Sequence, residues 1–196
     1  MSDNFDVLIE QYTADGGGKI VLDLGAGEGK YSLKLARLGF RVLAVDLDTE
    51  RLEKLREQAK RQGFDIQTQQ SDVRNFDLTK QQYDFIVAVN SLHFLEKSEA
   101  LDVIRRLHGA LRAQGKLLMS VHHQSGKLFE HYKSHNSMIE PGSFVISPDK
   151  VISFFTEDEI KAALKGMKID YLGVEQFTDQ SKNQNVIYLL ARKIGN

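Results

Sequence analysis

The 196-residue chain has no cysteine, no tryptophan and only two prolines, Pro141 and Pro148. Without cysteine there is no disulfide, no thiolate metal ligand and no covalent catalysis by a sulfur nucleophile. No metal site is expected. No apolar run approaches the roughly 20 residues that a membrane-spanning helix needs. The opening residues Met1-Ser2-Asp3-Asn4 place an acid where a secretory leader carries positive charge, so a cytoplasmic protein without a membrane partner is expected. There is also no excess of either charge, with 26 basic side chains against 27 acidic ones. Nucleic-acid binding leaves a clustered basic footprint. The densest basic stretch, residues 51–61, interleaves Glu53 and Glu57 at helical spacing. It reads as a solvated, ion-paired helix face, and nucleic acid is not the expected partner.

What the chain does contain is an apolar, strand-like run, Ile20-Val21-Leu22-Asp23-Leu24, set directly against the turn Gly25-Ala26-Gly27-Glu28-Gly29. A helix is expected to follow over residues 30–38. Glycines permit the tight turn and let a ligand approach main-chain N–H groups that a Cβ would shield. Dinucleotide folds use G-x-G-x-x-G, with a pyrophosphate at the helix N-terminus. Here the third glycine comes one residue early, and Asp23 stands two positions before the first. Such a carboxylate suits a ligand with a cationic group and would repel a pyrophosphate.

The neighbouring segments extend the pattern. Arg41-Val42-Leu43-Ala44-Val45-Asp46 is a second strand whose terminal acid lies about twenty residues after the turn, where a ribose-binding carboxylate belongs. Asp48 and Thr49 are better placed than Asp46 to cap the next helix. Residues 66–71 form a short β-like run leading to Asp72-Val73. A fourth strand, Tyr83–Val89, is followed by Asn90-Ser91-Leu92-His93-Phe94-Leu95.

In this order, Asp23-x-Gly25-x-Gly27-x-Gly29, Asp46, Asp72 and residues 90–95 resemble the successive motifs of class I S-adenosylmethionine-dependent methyltransferases. The resemblance implies S-adenosyl-L-methionine as cofactor and S-adenosyl-L-homocysteine as product. It assigns Asp23, Gly25 and Gly27 to the methionine part and Asp46 to the ribose hydroxyls. Leu47 falls on the adenine face, Asp72 with Val73 at the adenine amino group, and Asn90 toward the sulfonium and the substrate. The expected reaction is in-line methyl transfer to a small-molecule acceptor. The asparagine-proline-proline-aromatic motif of amino-directed DNA methylation is missing after Asn90. Residues 82–86, Phe94-Leu95-Glu96 and residues 189–193 resemble the tellurite-resistance group of small-molecule methyltransferases. That group's His-Arg pair is replaced here by Glu175-Gln176-Phe177-Thr178-Asp179. An RNA or protein methyltransferase and a non-catalytic S-adenosylmethionine-binding scaffold remain alternatives. A short-chain nicotinamide oxidoreductase is disfavoured, because none of the tyrosines has a lysine four residues on.

The fold expected from the resemblance is α/β: a Rossmann-like, doubly wound sheet, mainly parallel, with one antiparallel strand near the C-terminus and strand order 3-2-1-4-5-7-6. Residues 1–196 are expected to form a single domain, with an N-terminal helix (5–12) and glycine linker within 1–18. A helix over 98–113 buries Leu101, Ile104, Leu107 and Leu111, and a strand over 115–123 follows it. Thr156-Glu157-Asp158-Glu159 is a capping box opening a helix to about Met167. Residues 169–177 and 185–193 are joined too closely for a crossover helix and should pair antiparallel. Between the fifth strand and Thr156, residues 122–155 are too long for an ordinary connection and hold both prolines. They are expected to form a substrate-side insertion or lid, with a short helix at 127–132 and a turn at Pro141-Gly142. His122 and His93, at strand ends facing the expected site, are the candidate catalytic residues, with His123 on the opposite face.

Overall fold

The computed structural model describes residues 9–10, 19–79, 82–179 and 182–195. Of the expected N-terminal helix only Ile9 and Glu10 fall among these, and both are helical; the remainder of that helix and the glycine linker lie outside the described residues.

The strands are β1 (Ile20–Leu24), β2 (Arg41–Asp46), β3 (Ile66–Gln70), β4 (Tyr83–Val89), β5 (Leu111–His123), β6 (Met138–Glu140), β7 (Ser143–Ser147), β8 (Lys150–Phe155), β9 (Met167–Asp179) and β10 (Lys182–Lys193). The helices are α1 (Lys30–Arg37), α2 (Thr49–Gln62), α3 (Lys97–Ala110), α4 (Lys127–His135) and α5 (Glu157–Ala163), and a single 3-10 turn spans Leu92–Phe94. β3, β2, β1, β4 and β5 pair in parallel in that order. β10 runs antiparallel beside β5, and β9 antiparallel beside β10. Counting β9 and β10 as the sixth and seventh strands of the expected sheet, the order is 3-2-1-4-5-7-6, with β10 the antiparallel strand.

Alternation along the central strands divides the apolar residues between two layers. On β4, Ile86 and Ala88 face a core shared with Ile104 and Leu107 of α3 and Ile160 of α5. Phe85 and Val87 face the opposite core, built with Tyr31 and Leu35 of α1 and with Ile9. The α3 stripe is Ala100, Val103, Ile104, Leu107 and Ala110, with Leu101 only partly buried. α3 ends at Ala110 rather than 113, because β5 already begins at buried Leu111. α5 has the full capping box at Thr156 and Glu159 but stops at Ala163, before Gly166, whose φ of +94° cannot continue a helix.

Residues 122–155 contain more structure than the sequence signals suggested. α4 runs to His135, and β6, β7 and β8 form antiparallel pairs. β8 then rejoins the main sheet at a specific place. His122 of β5 pairs with Val186 of β10 on one edge and with Phe154 of β8 on the other. The latter edge belongs to β4 only as far as Val89, opposite Ser120. β8 therefore continues the position of β4 beyond the point where β4 ends.

The insertion is also tied to the start of α3. Glu96, the N-cap, gives no side-chain bond. The first-turn amides are instead capped from the insertion: Lys97 N donates to Ser143 Oγ at 3.0 Å and Ser98 N to Glu140 Oε1 at 3.0 Å. Buried Ser143 and Ser153 hydroxyls meet at 2.7 Å, and Ser153 Oγ donates to Leu95 O at 2.6 Å.

Candidate cofactor and acceptor site

The strand order reverses between β1 and β4, and loops leaving the carboxyl ends of strands at such a point diverge and leave a crevice. A cavity of about 430 Å³ opens there. Its floor is the glycine turn, and each glycine does a different job. A Cβ on Gly25 (φ +78°) would stand 2.3 Å from the Ser91 Cβ, and one on Gly29 (φ +82°) 2.2 Å from Leu55 Cδ1. Those two let the turn pack against the β4 turn and α2. At Gly27 (φ +57°) the nearest atom to an added Cβ is Arg51 Nη1 at 3.8 Å. Its open face belongs to the cavity.

Every residue assigned to the cofactor by its position in the sequence lines this one cavity: Asp23, Gly25, Gly27, Asp46, Leu47, Asp72, Val73 and Asn90. Asp23 is 2% exposed, and its Oδ2 accepts from the buried Ser32 hydroxyl at 2.6 Å. Burial pushes its carboxyl up to about 6. Asp46 is fixed by amides, with Gly27 N donating to Oδ2 at 2.7 Å and Asp48 N to Oδ1 at 2.9 Å. Capping of α2 falls to Asp48, which accepts from Arg51 N. The loop thus presents the Asp46 carboxylate to the cavity already oriented, and each of its oxygens retains a lone pair.

Asp72 is held differently. Arg74 Nε donates to both its oxygens at 3.0 Å, and the same guanidinium reaches Glu99 Oε1 at 3.1 Å. This hydrogen bonding keeps the Asp72 carboxyl below the usual carboxylate range. Leu47, 63% exposed, offers a bare apolar face beside it. Asn90 sits at φ +53°, a conformation asparagine tolerates better than most residues. It is locked there by Ser120, whose hydroxyl accepts from Asn90 N at 3.1 Å and donates to Asn90 Oδ1 at 3.0 Å.

Sequence reasoning did not single out Lys30, Tyr31, Arg51, Ser71 or Val89, which also line the cavity. For Lys30 and Tyr31 the available signal was position, directly after the glycine turn. Arg51, read as part of a solvated face, pairs with Asp48 at 3.2 Å while bordering the cavity. Its signal was the first turn of the helix that follows Asp46.

The two histidines occupy a different position from the cofactor residues. His93 and His122 are 2% and 7% exposed, with ring centroids 3.9 Å apart. Neither lines the cavity; Ser91, Phe94 and Leu95 from the same turn as His93 do. Phe94 packs on His93 at 4.4 Å, and His122 stacks on Phe154 at 5.5 Å. Burial pushes His122 down to about 4, and burial followed by the neighbouring His122 holds His93 well below its ordinary value. Both are neutral imidazoles at physiological pH. His123 lies on the other face, with Nδ1 2.6 Å from Ser125 Oγ and Nε2 2.9 Å from Glu157 Oε2. Among the described residues no group of three or more potential metal-binding side chains occurs, and no helix is long and apolar enough to cross a membrane.

Comparison with known proteins agrees with this arrangement. Residues 21–115 match the family described as a methyltransferase domain. A ubiquinone biosynthesis O-methyltransferase of Actinobacillus pleuropneumoniae is 29% identical over 117 residues, covering 57% of this chain and 49% of the relative. The chain spans about half the length of the curated relatives it matches. In fold it is similar to a SAM-dependent methyltransferase from Methanosarcina mazei, with TM-score 0.82, 23% identity and coverage of 96% of this chain and 98% of the other. It is also similar to TehB from Haemophilus influenzae, with TM-score 0.73, 22% identity and coverage of 98% and 62%. The methyltransferase-domain match over residues 21–115, the sheet order and the acid-and-glycine cavity at the β1–β4 switch point coincide in this chain.

Proposed function

We propose that the chain transfers a methyl group from S-adenosyl-L-methionine to an uncharged small molecule and leaves S-adenosyl-L-homocysteine. The observation that carries this reading is the buried Asp23 carboxylate lining the same cavity as Gly27, with Asp46 fixed by the Gly27 amide. A buried carboxyl raised by desolvation gains most from a cationic partner. Such a pair selects a ligand with an ammonium group next to a ribose and penalises a pyrophosphate. When bound, the cofactor supplies a methyl group already activated on a sulfonium.

The protein's contribution is placement. Asp23 takes the methionine end of the donor, Asp46 the ribose in the middle, and Asp72 and Leu47 the adenine. Asn90, locked by Ser120, faces the reacting centre. Holding two reactants in line is worth several powers of ten in rate without any covalent help. His93 and His122, the candidate catalytic residues, are neutral and set back from the cavity. We therefore assign them to the acceptor side as walls and hydrogen-bonding groups, and expect a methyl acceptor that is nucleophilic without deprotonation by them. Residues 1–196 then work as one methyltransferase domain in the cytoplasm, with residues 122–155 as the acceptor-side wall. The ties from Ser143, Ser153 and Glu140 to residues 95–98 support a docked wall over a freely swinging lid. The ubiquinone biosynthesis relative, by its name an O-methyltransferase, supports a small-molecule acceptor.

Calorimetric titration with S-adenosylmethionine, S-adenosylhomocysteine and NAD tests the reading. Binding of the first two and not of NAD is expected, followed by transfer of labelled methyl into a metabolite fraction. Binding of NAD alone refutes it. Label entering RNA or protein would move the acceptor to another class, and binding with no transfer to any fraction would favour a scaffold.

A further inference from the structure

Four buried side-chain polar atoms lack a hydrogen-bond partner among the described residues: Ser91 Oγ, His93 Nδ1, His122 Nδ1 and Asn185 Oδ1. Nearly all such groups in folded proteins are paired, so each orphan calls for an explanation. Three of the four gather at one place. Ser91 and His93 belong to the turn that follows β4, and the His122 ring lies 3.9 Å from that of His93. The same turn contributes Phe94, which lines the cavity, is 55% exposed and packs on His93.

We infer that Ser91 at the cavity wall, with the His93 and His122 rings packed behind it, forms a polar subsite for the methyl acceptor beside Phe94, and that it takes a flat, uncharged aromatic or heteroaromatic molecule carrying neighbouring hydroxyl or N–H groups. This rests on the methyltransferase reading and deepens it by naming the acceptor class. The charge distribution argues for an uncharged molecule. The ionic side chains of the cavity, Asp23, Lys30, Asp46, Arg51 and Asp72, come from the segments between β1 and β4, on the cofactor side. The wall contributed from Val89 to Leu95 carries none. Lys97, the nearest cation along the chain, is committed to Glu159 at 3.0 Å. A charged acceptor group brought against this wall would lose its hydration without gaining a partner.

Hydrogen-bond chemistry then narrows the class. A neutral imidazole offers one ring nitrogen as an acceptor, and burial keeps both rings neutral. Each orphan Nδ1 accepts or donates according to its tautomer and the serine hydroxyl does both, so the three match a ligand whose hydroxyl or N–H-bearing ring can serve in either role. Asn90 is tied to Ser120 through both its backbone N–H and its side-chain oxygen. The exposed ring of Phe94 supplies the surface for a flat apolar body.

The test uses the full chain saturated with S-adenosylhomocysteine, 2-aminophenol as probe and toluene as the control without donors. Ring-nitrogen NMR of histidine-labelled protein, assigned with His93→Phe and His122→Phe, should show 2-aminophenol shifting the Nδ1 signals of His93 and His122. Toluene should leave them in place. Ser91→Ala and His122→Phe should each weaken 2-aminophenol binding about fivefold to tenfold, the worth of one net hydrogen bond, while S-adenosylhomocysteine affinity is kept. Should His122→Phe fail to fold, Ser91→Ala carries the test alone. The inference is overturned if 2-aminophenol leaves both signals unmoved, if toluene binds as tightly, or if neither variant changes affinity. Failure of S-adenosylhomocysteine to bind the unaltered protein overturns the methyltransferase reading itself, whereas its binding without any response to 2-aminophenol sinks the subsite alone.

Discussion

Gly25 and Ser91 touch across the switch point of the sheet, so closely that a single methyl group on Gly25 would overlap the Ser91 Cβ. The glycine turn after β1 and the turn after β4, which carries the proposed acceptor wall, are thus one packed unit. The proposed donor and acceptor sides are fixed relative to each other by a contact that leaves no room for a side chain.

This separates two glycines that look alike in the motif. Gly25→Ala meets both a left-handed backbone and an occupied site, and should cost more than about 2 kcal/mol of stability. Gly27→Ala has space for its methyl and bears only the conformational cost of about 1 kcal/mol. That methyl projects into the cavity. Thermal unfolding and calorimetry should show Gly25→Ala losing stability and Gly27→Ala losing S-adenosylhomocysteine affinity while remaining folded. Equal stability losses for the two would refute the distinction.

Removing the Asp46 carboxylate should weaken S-adenosylhomocysteine binding by about 1.5 to 3 kcal/mol, the range for hydrogen bonds to a charged group. Asp46→Ala also releases the amides of Gly27 and Asp48. Asp46→Asn keeps one carbonyl oxygen for Gly27 N and should retain more of the turn's order. Calorimetry on both is expected to rank wild type above Asn and Asn above Ala. An Asp46→Ala protein that binds as tightly as wild type would remove the ribose assignment.

The strands and the cavity-lining acids and glycines were legible because they obey local rules. Buried runs ending in acids at β1 and β2, and the early third glycine, are visible in any ten-residue window. What was not legible depends on residues brought together from far apart. Lys97 and Glu159 are separated by 62 positions, and no local spacing announces their pairing. The hairpins of the insertion did leave a signal, Phe144-Val145-Ile146 and Val151-Ile152-Ser153-Phe154-Phe155 around Pro148-Asp149, which reads as two strands and a turn. That β8 would take over the edge of β5 vacated by β4 has no such signature. Nor does the burial of His93 and His122, since a histidine at a strand end looks the same whether it faces a cavity or another ring.

If Asp23 is the partner of the cofactor's cationic group, cofactor binding should depend on pH in a definite direction. Its folded-state value of about 6 lies above the ordinary 3.8. Between those values the unfolded chain is ionised at this position and the folded one protonated, so this residue's contribution to stability falls as pH rises through the window. A cationic ligand needs the ionised form. Affinity for S-adenosylmethionine should therefore decline as pH drops below about 6, and Asp23→Asn should flatten that decline while weakening binding at pH 7. Calorimetry between pH 5 and 8 checks both, with each variant's fold verified at every pH. A flat wild-type profile would exclude Asp23 as the cationic-group partner.

Lys97 is 5% exposed, while its partner Glu159 remains about one-third exposed at the side chain. The asymmetry predicts an order of stability. Glu159→Gln keeps the capping box, since glutamine at the third helical position also accepts from the Thr156 amide. It leaves a buried ammonium without its counter-charge, a loss expected at about 2 to 4 kcal/mol once the partial exposure of Glu159 is allowed for. Lys97→Met removes the buried charge and fills its space with apolar atoms, and the freed carboxylate can turn toward water. Its cost should stay below about 2 kcal/mol. Combining the two should then cost less than the sum of the single losses, because the charge stranded by Glu159→Gln is absent. Urea unfolding of the three variants measures the order directly. If Glu159→Gln proves no more damaging than Lys97→Met, the buried ammonium is not relying on Glu159, and its contact with the Phe155 ring at 5.8 Å becomes the interaction to remove next.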